Sequence, residues 1–332
     1  MTRVAVLGGG AWGTALADHL ARSGKDVVLW ARDPEVVTEI NESHRNDGFL
    51  PGHGLTPSLR ATTDLAAATR DAELVLNSVP SHATRSVLEA ANNGISKSAI
   101  LINSSKGIEL GTLTFLSGVV KAALPGRAYV MLSGPSFAEE VASRQPTAVV
   151  AASLDEGAAE RTQTLFSSPY LRVYTSDDVT GVEVGGALKN VIAIASGVLD
   201  GLGLGHNPRA ALVTRGLAEM TRLGVALGAE ERTFAGLAGL GDLILTCTGG
   251  LSRNRSLGVA LGQGQSLADW TAAHRSAVEG VNAARAALAL AQRAGVELPI
   301  TAQVASVLFD GKPVKQAVSD LMERALKSEQ PA

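Results

Sequence analysis

A single cysteine, Cys247, stands in the 332-residue chain, so an intrachain disulfide is excluded and a reducing compartment is expected. The charges nearly cancel, with 29 Lys and Arg against 32 Asp and Glu for a net −3. That balance gives no broad pull toward nucleic acid or an anionic membrane, while leaving room for a local basic pocket that takes a small anion. The six histidines, at 19, 44, 53, 82, 206 and 274, show no metal-ligand spacing and no Cys/His cluster accompanies them, so no metal is expected. No G-x-S-x-G elbow is present, which argues against a serine hydrolase. The N terminus, MTRVAVLGGG, lacks the order of a signal peptide and runs straight into a strand pattern. The most apolar stretch, 183–205, is interrupted by Lys189, Asn190, Ser196 and Asp200, so no membrane span is expected and a cytoplasmic location is. No internal repeat or low-complexity tract is visible.

What is present is a soluble globular composition, 45% hydrophobic and 18% charged, long enough for two domains. The first half alternates short β-rich runs with helical patterns: RVAVL at 3–7, DVVLW at 26–30, ELVLNSV at 73–79, AILIN at 99–103, AYVML at 128–132, TAVVA at 147–151 and LRVYT at 171–175. Apolar runs without alternation suit strands covered on both faces, and the β-α-β-α order predicts a mostly parallel, doubly wound sheet. The segment 48–58, GFLPGHGLTPS, reads as an irregular loop. After about residue 180 the strand-like runs stop. Helical patterns follow at 182–200, 208–227, 253–262, 279–294 and 313–327, predicting an all-α second domain. The boundaries expected are 1–180 for an α/β dinucleotide-binding domain and 181–332 for a helical substrate domain.

VAVLGGGAWGTALA carries Gly8-x-Gly10-x-x-Gly13 between a strand and a helix, the context the motif requires. Gly8 makes the tight turn, Gly10 lets the backbone approach a pyrophosphate, and Gly13 lets helix and strand pack closely. Trp12, inside the loop, is either a core aromatic or a side chain against the cofactor. At the end of the second strand, Arg32 argues for the 2′-phosphate of NADP; Asp33 keeps NAD open unless it simply caps the helix opened by Pro34. Three segments sit at carboxyl ends of strands, where open α/β sheets bind ligands: NSVPSH at 77–82, NSSKGIE at 103–109 with Lys106, and LSGPSFAEEV at 132–141 with Gly134 and Ser136. Each of Ser81 and Ser136 could equally be a helix cap, and Lys106 a solvated lysine. Further on, Asp242 follows a run of glycines, and Ser252, Arg253, Asn254 and Arg255 form a dense donor cluster suited to an oxyanion. Cys247, in an apolar run with no histidine near it in sequence, reads as structural. Lys189, in the middle of an apolar helix pattern, has to pair, snorkel or work. Its helical neighbours include Gly185 and Gly186, small residues expected to leave room for substrate.

Together, GGGAWGTALA, VPSH, SKGIE, SGPSFAEEV, GVEVGGALKNVIAIASG, NPRAALVTRGLAEM, GLAGLGDLILTCT, SRNRSLG and VEG resemble the NAD(P)-dependent glycerol-3-phosphate dehydrogenase family, in order from Val4 to about Lys312. The glycine motif is shared with many dehydrogenases; GGALKNVIAIASG and GLGDLILTCTGGLSRNR are far more specific. The resemblance implies an N-terminal Rossmann domain, a helical C-terminal domain and an interdomain cleft. There NAD(P)H reduces dihydroxyacetone phosphate to sn-glycerol 3-phosphate, a phospholipid precursor. It implies Lys189 as the acid/base with Asp242 beside it. It implies Lys106, Gly134, Ser136, Ser252, Arg253 and Asn254 as substrate contacts. The cofactor site would comprise Gly8, Gly10, Ala11, Trp12, Gly13, Arg32, Lys106, Ala138, Arg253, Ala277 and Glu279. The family often has an alcohol side chain at the place of Ala11 and a valine at that of Ala277. A homodimer is the expected assembly.

The residues agree with this chemistry: hydride transfer to a ketone creates an alkoxide that needs a proton and a nearby positive charge, and a semi-buried lysine supplies both. Two alternatives stay open at this point. One is another β-hydroxyacid-type dehydrogenase of the same two-domain plan; the other is a non-catalytic NADP-binding regulator, which would need neither Lys189 nor Asp242.

Overall fold

The structure is a computed structural model describing residues 2–274, 278–326, 328 and 329. Among these residues the strands run, in chain order, β1 (Arg3–Leu7), β2 (Asp26–Trp30), β3 (Arg60–Thr62), β4 (Leu74–Asn77), β5 (Ile100–Asn103), β6 (Ile108–Glu109), β7 (Thr114–Phe115), β8 (Tyr129–Ser133), β9 (Thr147–Ala152) and β10 (Leu171–Ser176). β6 and β7 pair as a small hairpin, and the other strands form one sheet in the order β10-β9-β8-β5-β4-β1-β2-β3. The apolar runs are covered on both faces, as expected of a doubly wound sheet. Val4, Val6, Leu74, Leu76 and Ile102 pack with Leu16 and Leu20 of the helix Ala11–Arg22. From the same strands Ala5, Leu7, Val75 and Leu101 pack with Leu88 and Val120 on the opposite side.

Three features of this half were not expected. β9 runs antiparallel to β8 and β10 follows β9, so these last two strands oppose the rest. β3, following the irregular loop, has only the sequence RAT and pairs with β2 at the sheet edge. The β6–β7 hairpin has only two residues in each strand. Such short strands have no apolar run to announce them.

Helices follow β10. The central one, Val179–Gly201, has 23 residues and is buried almost all round from Gly181 to Leu199. Asp178 caps it, Oδ1 accepting from Gly181 N at 2.8 Å, which satisfies an otherwise orphaned amide. By length and mean hydropathy this helix could cross a bilayer, polar interruptions notwithstanding, but 94% of its most apolar window is buried in the fold. It is therefore the core helix of the second half. Around it lie His206–Ala226, Asp242–Thr248, Arg253–Gly262, Glu279–Ala294 and Pro299–Phe309. The crossing with Arg253–Gly262 is backbone on backbone: a Cβ on Gly197 would stand 2.0 Å from Arg255 O, and one on Gly258 2.0 Å from Ile194 O. Pro299–Phe309 lay outside the helical patterns read from the sequence, although Pro299 opens it as a proline at a first helical position can.

The two halves are pinned by a buried carboxylate. Glu183, on the central helix, accepts from Ser117 N at 2.8 Å, Ser117 Oγ at 2.5 Å and Tyr129 OH at 2.8 Å. Burial pushes its carboxyl above the usual range, and these donors oppose that shift.

Candidate active site

The strand order reverses between β1 and β4, the place where open α/β sheets form a ligand crevice. The glycine loop lies there. Gly8 has φ +122°, and a Cβ on it would meet the Ser78 backbone at 2.9 Å. A Cβ on Gly13 would stand 2.0 Å from Gly8 O, whereas one on Gly10 would meet nothing within 4 Å. The turn and packing roles read for Gly8 and Gly13 are thus visible, and Gly10 faces open space. No side chain caps the helix Ala11–Arg22, so its first amides and the positive end of its dipole face that space. Asn46 steadies the loop from outside, donating to Gly9 O at 2.9 Å.

Trp12 is half-buried and packs on the sheet core; Ala11 beside it is also half-buried. Arg32 is exposed, and nothing among the described residues bonds its guanidinium. Asp33 caps the helix Pro34–Thr38, Oδ1 accepting from Glu35 N at 3.0 Å, so one of its oxygens is already engaged.

At the carboxyl edge of β5 and β8 two lysines from distant segments meet one carboxylate. Lys189 Nζ donates to Asp242 Oδ1 at 2.5 Å and to Thr246 Oγ1 at 2.9 Å. Lys106 Nζ donates to Asp242 Oδ2 at 2.6 Å and lies 3.4 Å from Gly134 O. Lys189 is 7% exposed and Asp242 1%. Burial lowers the Lys189 pKa to about 7; Asp242 opposes that fall and Lys106 adds to it. Burial alone would raise the Asp242 carboxyl, but the ammoniums of Lys106 and Lys189 outweigh it and hold the carboxyl below its usual range. Lys189 thus pairs rather than snorkels, and its ammonium is poised to lose a proton near neutrality.

Gly185 and Gly186, expected from their size to leave room for substrate, instead face close protein neighbours. A Cβ on Gly185 would stand 2.5 Å from Ala238 O, and one on Gly186 3.3 Å from Lys106 Cγ. They are small so that the segment leading to Asp242 and the Lys106 stem can come close to Lys189. Ser136 is half-buried and donates to Gly134 O at 3.1 Å, and Ala138 opens the short helix Ala138–Ala142.

The donor cluster separates into engaged and unengaged members. Ser252 is the cap of Arg253–Gly262, its Oγ accepting from Arg255 N at 3.2 Å. Asn254 Nδ2 donates to Asn190 Oδ1 at 2.9 Å, and Asn254 Oδ1 accepts from Gly280 N at 2.9 Å. Arg255 grips Asp200 through Nε at 2.8 Å and Nη2 at 2.7 Å. The Arg253 guanidinium is held by no hydrogen bond or ion pair among the described residues, and Glu279 supplies a nearby negative charge. Glu279 itself accepts from Ser81 N at 3.0 Å and Ser81 Oγ at 2.5 Å. Ala277 lies outside the described residues.

Thr246 was not among the expected site residues. The signal was a hydroxyl four residues after Asp242, hence on the same helix face; Thr246 Oγ1 also donates to Asp242 O at 2.6 Å. Asn190, one of the polar interruptions of the apolar stretch, ties that helix to Asn254. Cys247 is buried, and burial pushes its thiol up to about 12, so it stays protonated, in line with a structural reading. No group of three or more His, Cys, Asp or Glu able to hold a metal occurs among the described residues.

Two family models match the chain: the N-terminus of NAD-dependent glycerol-3-phosphate dehydrogenase over residues 3–159 and the C-terminus of the same family over residues 178–319. A glycerol-3-phosphate dehydrogenase [NAD(P)+] of Geobacter sulfurreducens is 54% identical over 330 residues, covering 98% of each chain. One of Nitratidesulfovibrio vulgaris is 50% identical over 329 residues, covering 98% of this chain and 100% of that one. Among solved structures, glycerol-3-phosphate dehydrogenase from Coxiella burnetii superposes with a TM-score of 0.94 at 40% identity, covering 97% of this chain and 99% of that one. With both halves of the family matched in order and relatives aligned over nearly the whole chain, this protein belongs to the NAD-dependent glycerol-3-phosphate dehydrogenase family.

Proposed function

We propose that this chain reversibly reduces dihydroxyacetone phosphate to sn-glycerol 3-phosphate with NADPH or NADH. The observation that carries this reading is the buried carboxylate of Asp242 shared by Lys106 and Lys189 at the carboxyl edge of a dinucleotide-binding sheet. The cofactor fits the residues present: Gly10 faces open space at an uncapped helix N terminus, where a pyrophosphate would find amides and a favourable dipole. When bound, the reduced nicotinamide supplies the hydride. Lys189 then gives its Nζ proton to the alkoxide oxygen, and Lys106 adds a second positive charge as the oxygen becomes negative. Asp242 fixes both ammoniums. Arg253, the unengaged member of the donor cluster, grips the substrate phosphate. Ser252 and Asn254 shape that grip, since their polar atoms already hold the local backbone and the central helix. Gly134 and Ser136 line the same edge from the sheet side, with Ala138 toward the cofactor.

In this reading residues 1–180 hold the cofactor and 181–332 supply the proton and grip the phosphate. The protein works in the cytoplasm as a homodimer, and its product feeds glycerophospholipid synthesis. The test is oxidation of NADPH on adding dihydroxyacetone phosphate, with unphosphorylated dihydroxyacetone as the control. Turnover of the phosphate ester alone is expected; no turnover, or equal turnover of both ketones, overturns the reading. In the same assay Arg253→Ala is expected to raise the KM for dihydroxyacetone phosphate by ~10-fold or more, with Arg255→Ala as the less affected neighbour.

The cofactor preference rests on Arg32, exposed and unengaged just past β2. Arg32→Ala is expected to weaken NADPH by ~1–3 kcal/mol, the worth of a charged hydrogen bond, and NADH much less. Titration of both cofactors against both proteins checks this, and equal losses would remove Arg32 from the 2′-phosphate site.

A further inference from the structure

We propose that Ser81 is a positioning residue of the reaction: through its bonds to Glu279 it holds the helical half against the loop that presents Lys106. The proposal rests on the dehydrogenase reading above.

Ser81 lies just after β4, is 4% exposed, and reaches a residue 198 positions away. Both of its donors go there, backbone N–H to Glu279 Oε1 at 3.0 Å and Oγ–H to Glu279 Oε2 at 2.5 Å. A local capping role does not account for this, because the Ser81 hydroxyl caps nothing in its own short turn. The loop after β5 packs against the pair. Gly107 has φ +156°, and a Cβ there would fall 2.7 Å from Ser81 Cβ, 2.8 Å from Ser81 Oγ and 3.2 Å from Glu279 Oε2. Only a residue without a side chain fits both that backbone angle and that space. The preceding residue is Lys106, whose ammonium meets Asp242 at 2.6 Å.

The other side of the pair leads to the second lysine. Gly280, next to Glu279, donates to Asn254, and Asn254 donates to Asn190, the neighbour of Lys189. The Ser81–Glu279 contact therefore joins the segments that carry the two ammoniums. Loss of the Ser81 hydroxyl frees the Gly107 backbone to shift, and Lys106 with it. Small displacements of a catalytic group are costly when the reacting geometry is tight.

The readout follows from what surrounds Lys189: the Asp242 carboxylate, the Lys106 ammonium, the Thr246 hydroxyl and the Cys247 thiol. Lys106 disfavours the charged form of Lys189 and shares its carboxylate. Moving Lys106 away removes a repulsion and leaves Asp242 more fully to Lys189. Both effects raise the Lys189 pKa, so the corresponding limb of the kcat–pH profile moves to higher pH.

The experiment measures kcat–pH profiles and the KM for dihydroxyacetone phosphate in Ser81→Ala, Glu279→Ala and the double variant, with NADPH at saturation and dihydroxyacetone phosphate varied up to saturation. Ser81→Ala is expected to lower kcat by about tenfold with little change in the substrate KM, and to shift the limb to higher pH. In the Glu279→Ala background the same substitution is expected to cost less than about twofold, because the partner through which it acts is gone. An unchanged kcat and profile, or equal losses in both backgrounds, overturns the proposal. Failure of the parent protein to reduce dihydroxyacetone phosphate would instead sink the functional reading, which the parent assay decides on its own.

Discussion

Lys189→Met is expected to leave the fold and the affinity for NADPH near those of the parent while lowering kcat for ketone reduction by at least ~10²-fold, the scale of a positioned acid/base group. Methionine keeps an unbranched stem in a buried slot and removes the ammonium. Asp242 is not stranded by the change, because Lys106 still meets its other oxygen at 2.6 Å. The fold therefore loses one ion pair without leaving a buried charge unpaired. The pH dependence carries a sign. Reduction needs the protonated amine, so kcat in that direction is expected to fall as pH rises through about 7, the pKa to which burial brings Lys189. Oxidation of glycerol 3-phosphate needs the free amine and is expected to rise through the same interval. The methionine variant should show neither inflection. A stable variant that binds both ligands and turns over within a few-fold of the parent would assign the proton to another group.

Asp242→Asn is the second large effect, and it reaches stability as well as rate. The carboxylate is 1% exposed and accepts from both ammoniums, so it is the neutralising group for two buried cations. An amide accepts through its oxygen and turns an N–H toward the other ammonium. Breaking a buried ion network in this way typically costs ~3–5 kcal/mol, somewhat less where a lysine can shed its proton. Lys189 would do so: the attraction that held its pKa up is lost and the repulsion from Lys106 remains. At neutral pH the acid is then mostly absent, and a kcat loss of ~10²-fold or more is expected, recovering in part as pH is lowered. Thermal melting and a kcat–pH series check the two halves of this. Unchanged melting together with near-parental kcat would show that the carboxylate does not organise the lysines.

Much of this architecture could be read directly from residue order. β1, β2, β4, β5 and β8 are apolar runs buried on both faces, and such runs are conspicuous in a sequence. Their direction is not: TAVVA and LRVYT read the same whichever way the strand points, and the structure turns both against the sheet. The sequence likewise singled out Lys189 and Asp242, because a lysine in a small-residue helix and an aspartate after glycines are locally odd. It could not tell that Lys106, 136 residues from Asp242, shares the same carboxylate. Residue type alone did not separate Arg253 from Arg255, although the family resemblance picked Arg253. The two are of one type and two positions apart, and only the tertiary fold shows that Asp200 occupies one and leaves the other unengaged. Ser81 and Glu279 illustrate the same limit: Ser81 reads locally as a helix cap, Glu279 is expected at the cofactor site by resemblance, and their meeting is a property of the folded chain alone.

The crossing at Gly197 and Gly258 has a mechanical consequence. Two helices whose backbones touch at these glycines, flanked by the packed side chains of Val191, Ile194, Val198, Leu257 and Leu261, behave as one solid piece. One of them carries Lys189 and the other begins at Arg253. Whatever opening and shutting the cleft undergoes, the spacing between the proposed proton source and the proposed phosphate grip is fixed in advance. On the proposed roles, the helix pair acts as a built-in ruler set to one carbonyl-to-phosphate span, and a substrate would be gauged against it rather than wrapped by it.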